Sequence, residues 1–198
     1  RFGSERDHSA VRNRLEAALR RGIANDEFVP FYQKQIDLKT GLAAGFEMLA
    51  RWESREFGEL GPDVFIPLAE QSGLMTAMGQ HAITQAVEAA ARLGCGRATG
   101  LHIAVNISAT QLRDGLLCER LLALCEQRGV SPRCLDLELT ETAFVHDIAA
   151  AAPSLHTLHE AGFGLSLDDF GTGYSALGQL RDLPFDKVKI DRTFVSDI

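Results

Sequence analysis

The chain has 198 residues, of which 45% are hydrophobic and 24% charged, and a formal net charge of −7 at pH 7. That length and composition suit one globular domain with a substantial core. The negative balance argues against a nucleic-acid polymer as the main partner, because phosphate backbones are held by basic stripes, but it leaves room for a small phosphorylated ligand bound through a metal. No apolar run approaches the length of a membrane span and no signal peptide opens the chain, so this domain is expected to make no membrane contact itself. A first residue of Arg1 suggests a piece of a longer protein. Cys95, Cys118, Cys125 and Cys134 form neither a C-x-x-C pair nor a zinc-like spacing. They read as buried, reduced thiols, which suits the cytoplasm.

In chain order, "AVRNRLEAALRRGI" (10–23) puts Val11, Leu15, Leu19 and Ile23 on one helical face, a packed or linker helix. Two strand-like runs follow around "DLKTG", a hairpin with Gly41 at its turn. A helical pattern from Pro62 to Leu93 breaks near Ser72-Gly73 and stops at Gly94. "LHIAVNIS" (101–108) reads as a strand, and Ser108 with Gln111 makes the S-x-x-Q of a capping box opening a helix to about Arg128. "CLDLELTE" (134–141) is a strand. The next helix spans roughly 147–161, with Pro153 disturbing its first turns, and "FGLSLDD" (163–169) is another strand. A short helix near 175–181 leads to the strand "KVKID" (187–191). Alternation of strand and helix predicts parallel strands with crossover helices, in an open doubly wound sheet or a barrel.

Strand parity bears on that choice. Alternate residues of a half-buried strand share a face. Asp136, Glu138 and Thr140 oppose Leu135, Leu137 and Leu139; Ser166 and Asp168 oppose Leu165 and Leu167. His102, Ala104 and Asn106 oppose Ile103, Val105 and Ile107, and Lys187 and Lys189 oppose Val188 and Ile190. Glu47, Leu49 and Arg51 share a face of the hairpin's second strand. A (β/α)8 barrel turns the apolar faces to its helices and gathers the polar strand ends at its C-terminal face, where such barrels keep their active sites. Glu47, Asn106, Glu138, Asp168, Asp169 and Lys189 would then meet. Oxygen donors without His or Cys favour Mg²⁺ or Mn²⁺ over Zn²⁺. Adjacent Asp168 and Asp169 allow one carboxylate to bridge two ions about 3.5–4 Å apart, the arrangement used for phosphate ester hydrolysis. Lys189 would offset part of the remaining charge or hold the attacking water, unless it is a snorkelling surface lysine. Arg51 would clamp a substrate phosphate or form a salt bridge to Glu47.

Two motif matches are rejected. "DFG" (169–171) lacks the other kinase motifs. "GTGYSA" (171–176) fits a dinucleotide fingerprint, but a pyrophosphate there would face Asp168 and Asp169.

"GFEMLARW", "FIPLAE", "VNISATQL", "LELTET", "LDDFGTGYSAL" and "FDKVKIDRTFV" resemble, in order, the motifs of the EAL domain, the bacterial cyclic di-GMP phosphodiesterase family. The resemblance covers residues from about 28 onward and implies a TIM-like (β/α)8 barrel with an antiparallel first strand. Residues 1–25 then form an N-terminal linker helix region and 26–198 the domain. The implied reaction is Mg²⁺- or Mn²⁺-dependent hydrolysis of cyclic di-GMP to linear pGpG, with Ca²⁺ inhibitory. The alternative is a receptor that binds cyclic di-GMP without cleaving it and signals through the 168–181 region. By motif position, the resemblance implies that Glu47 is the signature glutamate and that Asn106, Glu138, Asp168 and Asp169 are the other metal ligands. Lys189 assists the catalytic water, Arg51 contacts substrate phosphate, and Gln33 lies near substrate. Glu141 anchors the loop 168–176, which couples the metal site to dimerisation; the expected assembly is a homodimer. An upstream GGDEF or sensory domain in the same parent chain is also expected, and the parent could be membrane-tethered around this cytoplasmic domain. Met48 stands where the family usually has Ala, and Lys34 where it usually has Pro. The family barrel continues past "KIDRTFV" with two more β/α units, a further catalytic glutamate and a QGY-like segment. Their absence here would leave open edges, so the sequence is expected to be incomplete at its C-terminus or to borrow closure from a partner.

Overall fold

The computed structural model describes residues 2–95, 100–140, 148–171 and 182–194. The chain forms two compact units, Arg1–Phe31 with Leu49–Ala82, and Tyr32–Met48 with Ile83–Ile198.

In the first unit, α1 (Phe2–Ala24) buries Ala18 and Leu19 in a cluster with Phe28, Trp52, Phe65, Leu68 and Ala69. The expected stripe holds only in part: Val11 is exposed, and burial begins at Leu15. The aromatic centre explains the offset, because it lies level with the end of the helix. A Cβ on Gly22 would fall 2.6 Å from Trp52 Nε1, so glycine permits this close approach. The same indole N–H donates to Glu27 Oε2 at 3.1 Å. Phe28 stacks on Trp52 and meets Phe65 edge-on. β1 (Phe28–Ile36) and β2 (Ala43–Ser54) run through both units. The short β3 (Gly58–Leu60) pairs antiparallel with the end of β2. α2 (Pro62–Gln71) opens on Pro62, whose missing N–H costs nothing there. It ends at Ser72 and at Gly73, whose φ is +68°, before α3 (Met75–Arg92), as the sequence predicts.

In the second unit, β1 and β2 are neighbours joined by the turn 37–42. Asp37 Oδ1 accepts the N–H groups of Lys39 and Thr40, and Asp37 N–H donates to Leu42 O. The sheet continues with β4 (His102–Asn106), β5 (Leu135–Thr140), β6 (Gly164–Phe170) and β7 (Lys187–Ile190), in the order β1-β2-β4-β5-β6-β7. Each pairing from β2 to β7 is parallel. The outer faces carry the core: Ile103, Val105, Leu135, Leu137, Leu139, Leu165 and Leu167 are all buried. The fold is therefore the mixed α/β arrangement expected, with β1 and β7 at the ends of a sheet that is open among the described residues.

The sheet is also strongly curled. Four strand spacings of about 4.8 Å would separate β2 from β7 by roughly 19 Å if it were flat. Lys189 on β7 nevertheless lies 3.0 Å from Glu47 on β2.

One expectation is corrected. The helix predicted from Ser108 to Arg128 is two, α4 (Ala109–Leu112) and α5 (Leu117–Arg128). Asp114 and Gly115 break it: Asp114 Oδ1 takes the Leu116 N–H and its carbonyl takes the Leu117 N–H. The capping box is present, with Ser108 Oγ accepting from Gln111 N–H and Gln111 Oε1 accepting from Ser108 N–H. Ser108→Ala should cost about 1 kcal/mol in urea denaturation; an unchanged midpoint would mean the box does not stabilise the fold. α6 (Ile148–Glu160) runs unbroken through Pro153. The short helix expected near 175–181 lies outside the described residues. All four cysteines are free, three buried and Cys118 half-buried. Burial, then the neighbouring Cys134, pushes the Cys125 thiol up to about 11, so it stays an inert thiol.

Candidate metal centre

Parallel strands bring their C-terminal ends to one rim, and alternation turns the polar residues of each inward. Glu47 on β2, Glu138 on β5 and Asp168 on β6 meet there, with carboxylate oxygens within 4.8 Å of one another. Lys189 on β7 reaches all three: its Nζ donates to Glu47 Oε2 at 3.0 Å, to Glu138 Oε2 at 2.8 Å and to Asp168 Oδ2 at 2.8 Å. Lys189 is thus no snorkelling surface residue, and Glu47 is paired with it. In the sheet register Glu47 lies beside Ala104 and Glu138 beside Ser166, both small neighbours.

The charges do not balance. Three carboxylates surround one ammonium, and Glu138 is only 1% exposed. Burial raises its acid to about 7; Lys189 opposes the shift, and Glu47 and Asp168 add to it. Burial alone would lower Lys189, but its hydrogen bonds to Asp168, Glu138 and Glu47 hold it above the ordinary lysine range. Glu138 Oε1 is buried without a hydrogen-bond partner, an oxygen that is costly to leave bare. Excess negative charge, hard oxygen donors and an unpartnered buried oxygen together fit a divalent cation.

The folded-state acid of Glu138 lies above its ordinary 4.5, so the metal-free fold binds the extra proton. Its contribution to stability is full below that ordinary value and is lost as pH rises through about 7. In EDTA, the stability of the wild type relative to Glu138→Gln should therefore fall between about pH 5 and about pH 8 in urea denaturation. A pH-independent difference would mean that Glu138 ionises normally.

The remaining predicted residues fall as follows. Asn106 ends β4 beside Glu138 in register, with its side chain exposed at the rim. Asp169 is exposed, at a shift of register between Leu167 and Phe170, and has φ +55°, an unusual conformation for a residue with a side chain. Its backbone N–H donates to Asp168 Oδ1 at 2.9 Å, which fixes that carboxylate. Burial, then Asp168 and Asp191, raises the Asp169 acid. Asp191, just past β7, is thus a charged neighbour outside the predicted donor set. Gln33 is exposed on β1. Arg51 belongs to the first unit, where its guanidinium lies 5.5 Å from the centroid of the Phe31 ring and donates to Ala50 O. Met48, opposite in parity to Glu47, is buried as a packing residue. Glu141 and most of the 168–176 loop lie outside the described residues.

A curled parallel sheet with a polyanionic centre at its C-terminal rim defines a class of α/β domain with a candidate cation site. Within that class, the family model described as "EAL domain" matches residues 16–198. The chain belongs to the EAL domain family. It is 37% identical to the biofilm architecture maintenance protein MbaA of Vibrio cholerae serotype O1, over 94% of this chain and 23% of that protein. It is 38% identical to the probable cyclic di-GMP phosphodiesterase PdeG of Escherichia coli K12, over 92% of this chain and 36% of that protein. The chain therefore spans well under half the length of these relatives. Among solved structures, the PaMucR phosphodiesterase in complex with c-di-GMP superposes with a TM-score of 0.86 at 34% identity, covering 93% of this chain and 74% of that one.

Proposed function

We propose that this chain carries a cyclic di-GMP phosphodiesterase domain that yields linear pGpG. The observation that carries the reading is the convergence of Glu47, Glu138 and Asp168, with the bare Oε1 of Glu138 among them. PdeG and PaMucR, named as phosphodiesterases, support the reaction and substrate. Mg²⁺ or Mn²⁺, bound as a two-ion site, would supply Lewis acidity and an activated water. Glu47, Glu138 and Asp168 would hold the ions, with Asn106 and Asp169 at the rim completing the donor set. Lys189 keeps its proton on Nζ and would orient the water or steady phosphate charge. Arg51 and Gln33 would contact substrate, and Glu141 would anchor the 168–176 loop; Ca²⁺ would inhibit. The domain, read as residues 26–198 after a linker helix region, would act in the cytoplasm as a homodimer within a parent chain bearing a GGDEF or sensory domain. Among the described residues no helix is long and apolar enough to cross a membrane.

The test is incubation with cyclic di-GMP and Mg²⁺, with products resolved by chromatography and Ca²⁺ as control. Appearance of pGpG with Mg²⁺ alone is expected. Retained nucleotide without product would favour a second reading, a non-catalytic receptor. That reading has one observation behind it: Lys189 Nζ bonds all three carboxylates, through oxygens that a cation would need.

A further inference from the structure

One residue pair below the carboxylate centre repeats its design with different partners. Lys187 lies two positions before Lys189 and faces the same way. Its Nζ donates to Asp136 Oδ2 at 2.5 Å, and Ser166 Oγ donates to Asp136 Oδ1 at 2.8 Å. Asp136 is 3% exposed, and a buried carboxylate is costly without such bonds. His102 Nε2 lies 3.4 Å from Lys187 Nζ and 2.8 Å from Gln35 Oε1. The pair spans β6, since Asp136 is on β5 and Lys187 on β7. Gly164 stands opposite Asp136 in register, and a Cβ there would lie 3.2 Å from Asp136 Oδ1. A bare glycine therefore keeps the carboxylate uncrowded.

We propose that the Asp136–Lys187 pair is a positioning tie, which holds β7 curled toward β5 and so keeps Lys189 within reach of the centre. The proposal deepens the phosphodiesterase reading and rests on it for the role given to Lys189. The ladder between β6 and β7 shifts register between Leu167 and Phe170, beside Lys189, so regular backbone pairing does not by itself carry Lys189 to the centre. Backbone and side-chain bonds between Asp186 and Leu165 fix where β7 begins but not how far it leans inward. Lys189 holds the strand through the very oxygens a cation would take. Asp136 is outside that set, so its grip on Lys187 survives cation binding.

The test is hydrogen exchange of the full chain, metal-free and with Mg²⁺ alone, in the wild type and Asp136→Asn. The β7 amides of the variant should exchange about tenfold faster than the wild type's, and faster still with Mg²⁺, while those of β4 and β5 stay protected. Lys187→Met, at a half-exposed position, should reproduce the effect, and serves if Asp136→Asn does not fold. Lys187→Arg should preserve protection. With cyclic di-GMP, Asp136→Asn and Lys187→Met should each lower kcat with KM unchanged, whereas Lys187→Arg should retain it. Unchanged exchange in β7, or equal acceleration in every strand, would overturn the tie. A wild type that cleaves no cyclic di-GMP would defeat the phosphodiesterase reading instead, and the exchange result would still decide the tie.

Discussion

Glu47→Gln should lower cyclic di-GMP hydrolysis by more than about 10³-fold, while nucleotide affinity stays within roughly tenfold, about 1.4 kcal/mol. The amide keeps the shape of the side chain but replaces one carboxylate oxygen with a donor that cannot ligate a cation. It also removes one of the three negative partners of Lys189. Binding should survive because in the proposed reading Arg51 and Gln33 would also hold the nucleotide, whereas the chemistry requires charge placed at the reacting phosphate. Turnover at saturating Mg²⁺, measured beside calorimetric affinity, separates the two effects. Normal turnover in the variant would remove Glu47 from the ion-binding set.

Lys189→Met should destabilise the metal-free protein by roughly 3 kcal/mol, because it leaves the buried Glu138 and two half-buried carboxylates without their counter-ion. Proton uptake by Glu138, already a weak acid with a value of about 7, would absorb part of that cost. Mg²⁺ at about a hundredfold excess over its dissociation constant should return about 2.7 kcal/mol, by preferential binding to the folded state. Urea denaturation with EDTA and with Mg²⁺ measures both. Equal stability of wild type and variant in EDTA would mean that Lys189 does not offset the charge of the centre.

Local chemistry was legible wherever it repeats along the chain. The period of two in "LDLELT" and "LSLD" placed Glu138 and Asp168 on inward faces, and "KVK" did the same for Lys189, because a strand leaves its side chains no other alternation. The capping box at Ser108 was equally readable, since its two bonds join residues three apart. The break at Asp114 was missed because a helix-compatible pattern continues on both sides of it, and a single Asp side chain competing for backbone N–H groups carries no periodicity. Val11 shows the same limit. It has the right spacing for the apolar face of α1, but the aromatic cluster it would need sits further down the helix.

By itself, then, the sequence determined which residues face inward on each strand, and its ordered motifs determined the family. Only the tertiary structure decided which of those inward residues touch. Curling of the sheet brings β7 to β2 and seats one ammonium among three carboxylates. Asp169 sits at the shift in the ladder between β6 and β7 in a left-handed conformation, where alternation stops applying. The pairing of Lys187 with Asp136 across β6 belongs to the same class of fact. Parity is a property of one strand, whereas distances between strands depend on the curvature that all of them share.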